Sequence, residues 1–347
     1  MRLSTISLAV LLAWMPAYAH HSDAGLDMNS TVTFDGTVLE YNFRNPHVYI
    51  IVAVEDDAGE TVEWELQTSS TITVTRMGWT RDSLAPGDGV TFSVHAAFDG
   101  RPYGLLNAIQ KDSGEVLATS FYDASGEPRL PSPVANQSTT SLEGKWIADG
   151  DKLVDYPGGF DGFFRAQLTP NEQALTAQVA YNELSSENPN ATCVGRPTPA
   201  LIVNTLLYPL EIEYLNDGDV IAIRSEFFDE ERFVYMDGRD HPDISERFDL
   251  GYSTGSWDGE VLVVDTRNFS DHRSPYQTGV PSGGEKHVVE RYELSDDGTR
   301  IFVEFMLEDP EYLVGSMTHR RELIYVPDHA MVDFDCDVDS TSRFVTE

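Results

Sequence analysis

The sequence predicts an all-β protein of two domains: an OB-like small barrel, then a larger lipocalin-like antiparallel β-barrel, with one or two short helices. Three observations predict it. Short runs of β-branched and aromatic residues recur between Gly, Asp, Asn and Pro turns. The chain has 347 residues, more than one ordinary core and enough for two. A stretch rich in Ser, Pro, Asp and Asn over 119–141, with Pro128, Pro131 and Pro133, reads as a linker between two strand-rich regions. With 41% hydrophobic residues, 11% of all residues being aromatic, both regions have material for a core, which argues against disorder.

Residues 1–19 read as a signal peptide. Arg2 is the positive start, Ile6 to Trp14 the short apolar stretch, and Ala17-Tyr18-Ala19 a small-x-small cleavage site. No later run approaches the roughly 18 apolar residues that a spanning helix needs. The mature chain is therefore expected to begin at His20, to be periplasmic or secreted, and not to insert into a membrane. No cysteine stands near the cleavage site to carry a lipid.

Residues 20–118 form the expected OB-like domain. Thr31 to Leu39 reads as a bent strand, Val48 to Val54 as a second, and Thr61 to Gln67 as a third. In the third, Val62, Trp64 and Leu66 alternate with polar residues, the period of a half-buried strand. Ser70 to Met77 reads as a short helix ended by Gly78. Val90 to Ala96 and runs near Leu105 and Val116 follow, and five or six short strands with one small helix suit a small barrel.

Residues 142–340 form the expected larger barrel, with 341–347 as a tail. Thr169 as cap, Pro170 at the first position and Glu172 in the first turn predict a helix to about Tyr181. From Tyr208 on, about eight strands alternate with explicit turns such as Asp258-Gly259 and Asp296-Asp297-Gly298. A barrel of that size holds one small ligand.

Formal charge is −35, so nothing offsets phosphate repulsion, and nucleic acid is excluded as a partner. The acidity reads first as a solubilising surface. Two cysteines in an exported chain, Cys193 and Cys336, read as a disulfide bracketing the second half.

Several motifs carry a resemblance. His20-His21-Ser22, Gly36-Thr37-Val38, Asn45-Pro46-His47-Val48-Tyr49, Gly78-Trp79-Thr80-Arg81-Asp82 and Pro86-Gly87-Asp88 resemble a family of small exported bacterial domains of unknown function. Asp237-Gly238-Arg239-Asp240-His241-Pro242, Gly251 to Gly259 and Val263-Val264-Asp265-Thr266-Arg267-Asn268-Phe269 resemble uncharacterised exported bacterial proteins. Neither resemblance implies a reaction.

Three constellations bear on chemistry. Cleavage after Ala19 frees an amine on His20, and an amine, its imidazole and a second imidazole from His47 make a planar set for Cu(II), with His21 and His95 in reserve. The alternative is an unordered terminus and a His47 that hydrogen-bonds a strand end. Next, Asp237-Gly238-Arg239-Asp240-His241-Pro242 is a loop after a strand. His241 is the candidate acid or base, Asp237 its orienter and Arg239 the holder of an anionic or carbonyl oxygen. His272, His287, Glu290 and Arg291 lie on other candidate strand or loop ends. The alternative is a capped turn with a structural ion pair. Last, Gly251-Tyr252-Ser253-Thr254-Gly255 matches G-x-S-x-G, but a turn and a strand follow it rather than a helix, so a serine hydrolase is rejected. Tyr252 and Trp257 read instead as barrel-lining aromatics. There is no P-loop, Rossmann fingerprint, H-E-x-x-H or C-x-x-C-H.

Three functional readings stand open. One is an exported binding protein for a small, partly apolar ligand in the large barrel, with copper at the mature N-terminus. Another is a cofactor-free acid–base enzyme, a lyase, isomerase or hydrolase, in the same barrel. The third is an envelope protein whose barrels serve as surfaces.

Overall fold

The computed structural model describes residues 26–27, 30–56, 58–119, 132–153, 159–182, 185–341, 343 and 345. The expected leader, His20, His21 and most of the 119–141 stretch lie outside them.

The first barrel is built from β1 (Val32–Asn42), β2 (Tyr49–Glu55), β3 (Thr61–Gln67), β4 (Gly89–Ala96) and β5 (Tyr103–Lys111), with β6 (Val116–Leu117) at the edge. Strand order is β3-β2-β1-β4-β5-β6, and a parallel pairing of β3 with β5 closes the sheet. The alternation read from sequence sends Val38, Ile50, Val52, Leu66, Phe92 and Leu106 into one core. The bend in β1 needs Gly36, because a Cβ there would sit 2.5 Å from the Ala53 carbonyl oxygen. Helix α1 (Thr71–Arg76) starts where Ser70 accepts a hydrogen bond from the Thr73 amide, as its sequence predicts.

The second barrel has nine strands: β7 (Gly144–Ala148), β8 (Leu210–Leu215), β9 (Val220–Ser225), β10 (Glu231–Tyr235), β11 (Tyr252–Asp258), β12 (Val261–Arg267), β13 (His287–Leu294), β14 (Arg300–Glu308) and β15 (Ser316–Tyr325). Each pairs with its neighbours in sequence, and β15 pairs with β7 to close the ring. This is the up-and-down, lipocalin-like plan. It adds β7, which lies before the helical insertion, to the eight strands read from sequence. One seam is parallel, β10 with β11, because residues 236–251 carry the chain from one end of the barrel back to the other.

Three helices lie between β7 and β8: α2 (Gly159–Gln167), α3 (Glu172–Ala180) and α4 (Ala200–Val203). The cap of α3 is Asn171, whose side chain accepts from the Ala174 amide, rather than Thr169. The preceding Pro170 is held outside the helix in a bridge to Leu313. Phe163, Phe164, Leu168, Ala174, Leu201 and Ile202 from this insertion join the barrel core.

Cys193 and Cys336 form the expected disulfide, 143 residues apart in sequence with Cα atoms 6.0 Å apart. The two barrels touch through a polar seam. Ser70 Oγ lies 2.8 Å from the Tyr208 hydroxyl. Arg76 pairs with the buried Glu226 at 2.5 Å and donates to the Leu207 carbonyl. Asn45 donates to the Phe334 carbonyl. Among the described residues no helix is long and apolar enough to cross a membrane.

Candidate functional site

The two ends of the second barrel differ. At one end, tight turns such as Asp258–Gly259 join the strands. At the other, the helical insertion and the loop 268–286 lie over the opening. Phe164 packs on Tyr276 with ring centroids 4.8 Å apart. Gln178 donates to the Thr278 carbonyl at 2.5 Å. Arg273 donates to the Ala177 carbonyl at 2.8 Å. The opening is thus capped by elements that also bring polar groups to it.

Beneath this cap the strands turn charged side chains inward. On β10, Arg232 shares a face with the core residue Val234. On β13, Glu290 shares a face with Val288 and Tyr292. Register brings these residues together. Arg232 donates from Nη2 to Glu290 Oε1 at 2.7 Å and to the Tyr292 hydroxyl at 3.0 Å. Its Nη1 reaches Ser253 and Thr266, at 3.4 and 3.3 Å. Thr198, from the insertion, donates to Glu290 at 2.6 Å. The pair is almost wholly shielded, with side-chain exposures of 2% and 0%. A buried ion pair so bonded is costly to break on one side.

Next to this network lie groups with unmet hydrogen-bonding capacity. Among the described residues, Lys286 Nζ, the Tyr276 hydroxyl, Ser282 Oγ and Asp309 Oδ1 are buried with no hydrogen-bond partner. Lys286 Nζ stands 4.4 Å from the centre of the Phe269 ring and 5.5 Å from that of Tyr276. It also feels the charges of Asp309, Glu230 and Glu290. Burial drives the Lys286 ammonium down to about 7, against the upward pull of those carboxylates. Burial pushes Asp309 up to about 6, although the Gly283 amide and Lys286 favour its charged form. Burial also raises Glu230 and Tyr276 well above their ordinary ranges.

A cleft of about 400 Å³ runs in from the surface, lined among others by Gly195, Phe228, Glu230, Asp249, Asp271 and His272. Gly195 leaves room for the Glu230 carboxyl: a Cβ there would fall 2.1 Å from Glu230 Oε1, which would have to shift. His272 sits in the cleft wall, its Nε2 2.9 Å from the Gly195 carbonyl oxygen, and burial lowers it to about 4.

Most of the residues predicted from sequence sit elsewhere. Asp265, on β12, faces outward between two histidines. His241 Nε2 and His287 Nε2 each lie 2.9 Å from one of its oxygens, and Arg267 donates to it at 2.9 Å. Burial pushes the Asp265 carboxyl up, but the hydrogen bonds from His287 and Arg267 outweigh it and hold the group well below the usual carboxylate range. The carboxylate partner of His241 is therefore Asp265. Asp237, expected in that role, is instead held by Arg239, with Oδ1 2.8 Å from Nε, because the two face each other across the Gly238 turn. Arg239 lies over the Tyr235 ring at 4.1 Å, and Tyr235 stacks on Tyr252 with centroids 5.0 Å apart. Tyr252 thus belongs to the outer face and does not line the barrel. Trp257 is 47% exposed beside the β11–β12 turn, at the end away from the cap. Arg291 points outward to Asp258 at 2.8 Å. Of the ligand residues predicted, Glu290 lies under the cap and His272 belongs to the capping loop itself, in the cleft wall.

His47 is half-buried between the barrels. Its Nδ1 lies 3.1 Å from the Thr68 carbonyl oxygen, and burial lowers it to about 4. His95 Nδ1 lies 2.9 Å from the Ser30 carbonyl oxygen. Among the described residues no three or more His, Cys, Asp or Glu side chains are arranged to hold a metal ion.

Sequence reasoning missed Arg232, Lys286, Tyr276, Ser282 and Asp309. A signal existed for Arg232: it falls on the same parity as the apolar Val234 in a strand that opens on the exposed Glu231. Lys286 and Asp309 abut strand ends, where periodicity says nothing of burial.

Residues 9–107 are similar to DUF6152, a family of unknown function. No curated protein matches the chain. Among solved structures, a variant of the fluorescent protein UnaG is 12% identical with a TM-score of 0.23, covering 53% of this chain and 96% of its own. Secretory abundant heat soluble protein 4 from Ramazzottius varieornatus is 12% identical with a TM-score of 0.25, covering 55% of this chain and 99% of its own. Likenesses so distant carry no argument about function.

Proposed function

We propose that this is an exported binding protein that holds a small, partly apolar molecule beneath the cap of its larger barrel. The leader-like residues 1–19 and the Cys193–Cys336 bond support export, since disulfides persist in oxidising compartments. One observation carries the binding reading. Lys286 and Tyr276, neighbours in the capping loop, and Asp309, whose charge reaches both, carry polar atoms that no described residue satisfies. Each such group costs about 1–3 kcal/mol when left unpaired, and native proteins meet that need with a ligand or ordered water. The rings of Phe269 and Tyr276 supply the apolar wall.

The acid–base reading centred on His241 has less support, because the Asp265 cluster sits on the outer face of the barrel. The test of the binding reading is native mass spectrometry of the full chain purified undenatured from its own host. A retained small-molecule mass is expected, and it should vanish in the Tyr276→Phe, Lys286→Met double variant. Water alone in that site, with no retained mass in any preparation, would sink the reading.

A further inference from the structure

We propose that Lys286 is a carbonyl-capturing amine, so that the ligand class of the capped barrel is a small aldehyde or ketone held as an imine, with Asp309 as the proton donor. The inference rests on the binding site proposed above and gives it a chemistry.

Four facts converge. The chain has four lysines, Lys111, Lys145, Lys152 and Lys286. Lys111 donates to the Ser83 carbonyl, and Lys145 to the His329 carbonyl at 2.7 Å. Lys152 is exposed, at the end of a surface turn. Lys286 alone of the four is 1% exposed, and its amine has no hydrogen-bond partner among the described residues. A structural buried lysine is paired or hydrogen-bonded. This one instead points its nitrogen at the Phe269 and Tyr276 rings, with no carboxylate of the described residues in contact. Its burial, against the pull of Asp309, Glu230 and Glu290, is what keeps the amine neutral and nucleophilic. Burial holds it near 7, so about half is neutral at that pH, against roughly one part in 10³ for an exposed lysine.

The chemistry closes with the groups present. The neutral amine adds to the carbonyl carbon, forming the C–N bond, and one amine proton passes to the oxygen to give a carbinolamine. Asp309, raised to about 6 by burial and so still about one part in ten protonated at pH 7, then protonates that hydroxyl. The C–O bond breaks, water leaves, and a protonated imine remains beside the Asp309 carboxylate. Glu230, also raised by burial, and Glu290, paired with Arg232, are the other carboxyl groups whose charges reach Lys286.

The experiment uses the folded full chain at pH 7 with cinnamaldehyde and cyanoborohydride, then peptide mapping. Hydride reduction turns an imine into a stable secondary amine, so the modified lysine is read directly. Lys286 is expected to label at least tenfold faster than Lys152. Asp309→Asn should slow Lys286 labelling about tenfold, move its pH midpoint down because a carboxylate that favours the ammonium is gone, and leave Lys152 unchanged. Labelling of Lys286 no faster than of Lys152 would overturn the proposal, as would an Asp309→Asn variant with unaltered rate and midpoint. Cinnamyl alcohol, which has no carbonyl, separates the two levels. If native mass spectrometry shows it bound while Lys286 stays unlabelled by the aldehyde, the site stands and the imine falls. If neither probe is retained and no host molecule co-purifies, the site itself falls.

Discussion

The two faces of β12 and β13 run side by side and do different work. Outward, Asp265 gathers His241, His287 and Arg267 into a half-exposed cluster whose hydrogen bonds are largely met. Inward, Thr266, one residue beyond Asp265, and Glu290, three beyond His287, join Arg232, Tyr292 and Ser253 in a shielded network that opens onto unsatisfied groups. Water screens the first set, so each of its interactions is worth little. The second set is walled off, so each group there is either well bonded or strongly destabilising. Reactive chemistry needs the second kind of surrounding, and this separates an ornate surface from a site.

The largest expected effect follows from the shielded pair. Arg232→Met leaves Glu290 as a buried, uncompensated carboxylate and should cost roughly 3–5 kcal/mol. Arg232→Met with Glu290→Met removes both charges and should recover most of that loss. Urea denaturation of the three proteins checks this. A double variant as unstable as the single one would show that the network holds the barrel by geometry rather than by charge balance.

The sequence shows the outer face better than the inner one, and the reason is local. Asp237-Gly238-Arg239-Asp240-His241-Pro242 is contiguous, polar and turn-forming, so it reads as a loop site. The structure indeed keeps Asp237 with Arg239 and brings His241 to Asp265. The inner site is assembled from β10, β11, β12 and β13, two loops and the helical insertion, and no window of the sequence contains two of its charged members in contact. Fold class was legible because alternation and turn residues are local signals. Strand β7 was not, because its five residues carry only Trp146 and Ile147 as large apolar side chains. The α3 cap slipped by two residues because Pro170 at a helix start is a strong local signal, while its pairing with Leu313 is a distant one.

A smaller effect, of opposite sign, is expected at Lys286. Its folded-state value near 7 lies below the ordinary 10.5. The unfolded chain therefore binds more protons between pH 7 and about 10.5, so stability rises with pH through that window. The cost of burying the amine is fully present below the folded value near 7 and is gone above the unfolded value. Lys286→Met removes the dependence. It should stabilise the protein by a few kcal/mol at pH 7 and by progressively less toward pH 10. Thermal melts of both proteins across that range give the comparison. A gain that grows with pH would mean that the amine is charged and satisfied in the folded protein, which contradicts its placement.

The smallest effect belongs to the outer face. Asp265→Asn loses charge-assisted bonds to two histidines and Arg267, but the carboxylate is partly exposed and screened, so the cost should be about 1 kcal/mol at pH 7. Its folded-state value is depressed, so its contribution is present above the unfolded value near 4 and fades as pH falls through the lower folded value. The gap in melting temperature between the proteins should therefore narrow between pH 7 and pH 3. Ligand retention and Lys286 labelling should stay as in the unsubstituted chain. If Asp265→Asn abolished either one while the fold survived, the two faces would form a single site reached through the wall of the barrel, and the division between screened surface and shielded chemistry would have to be redrawn around His241 and His287.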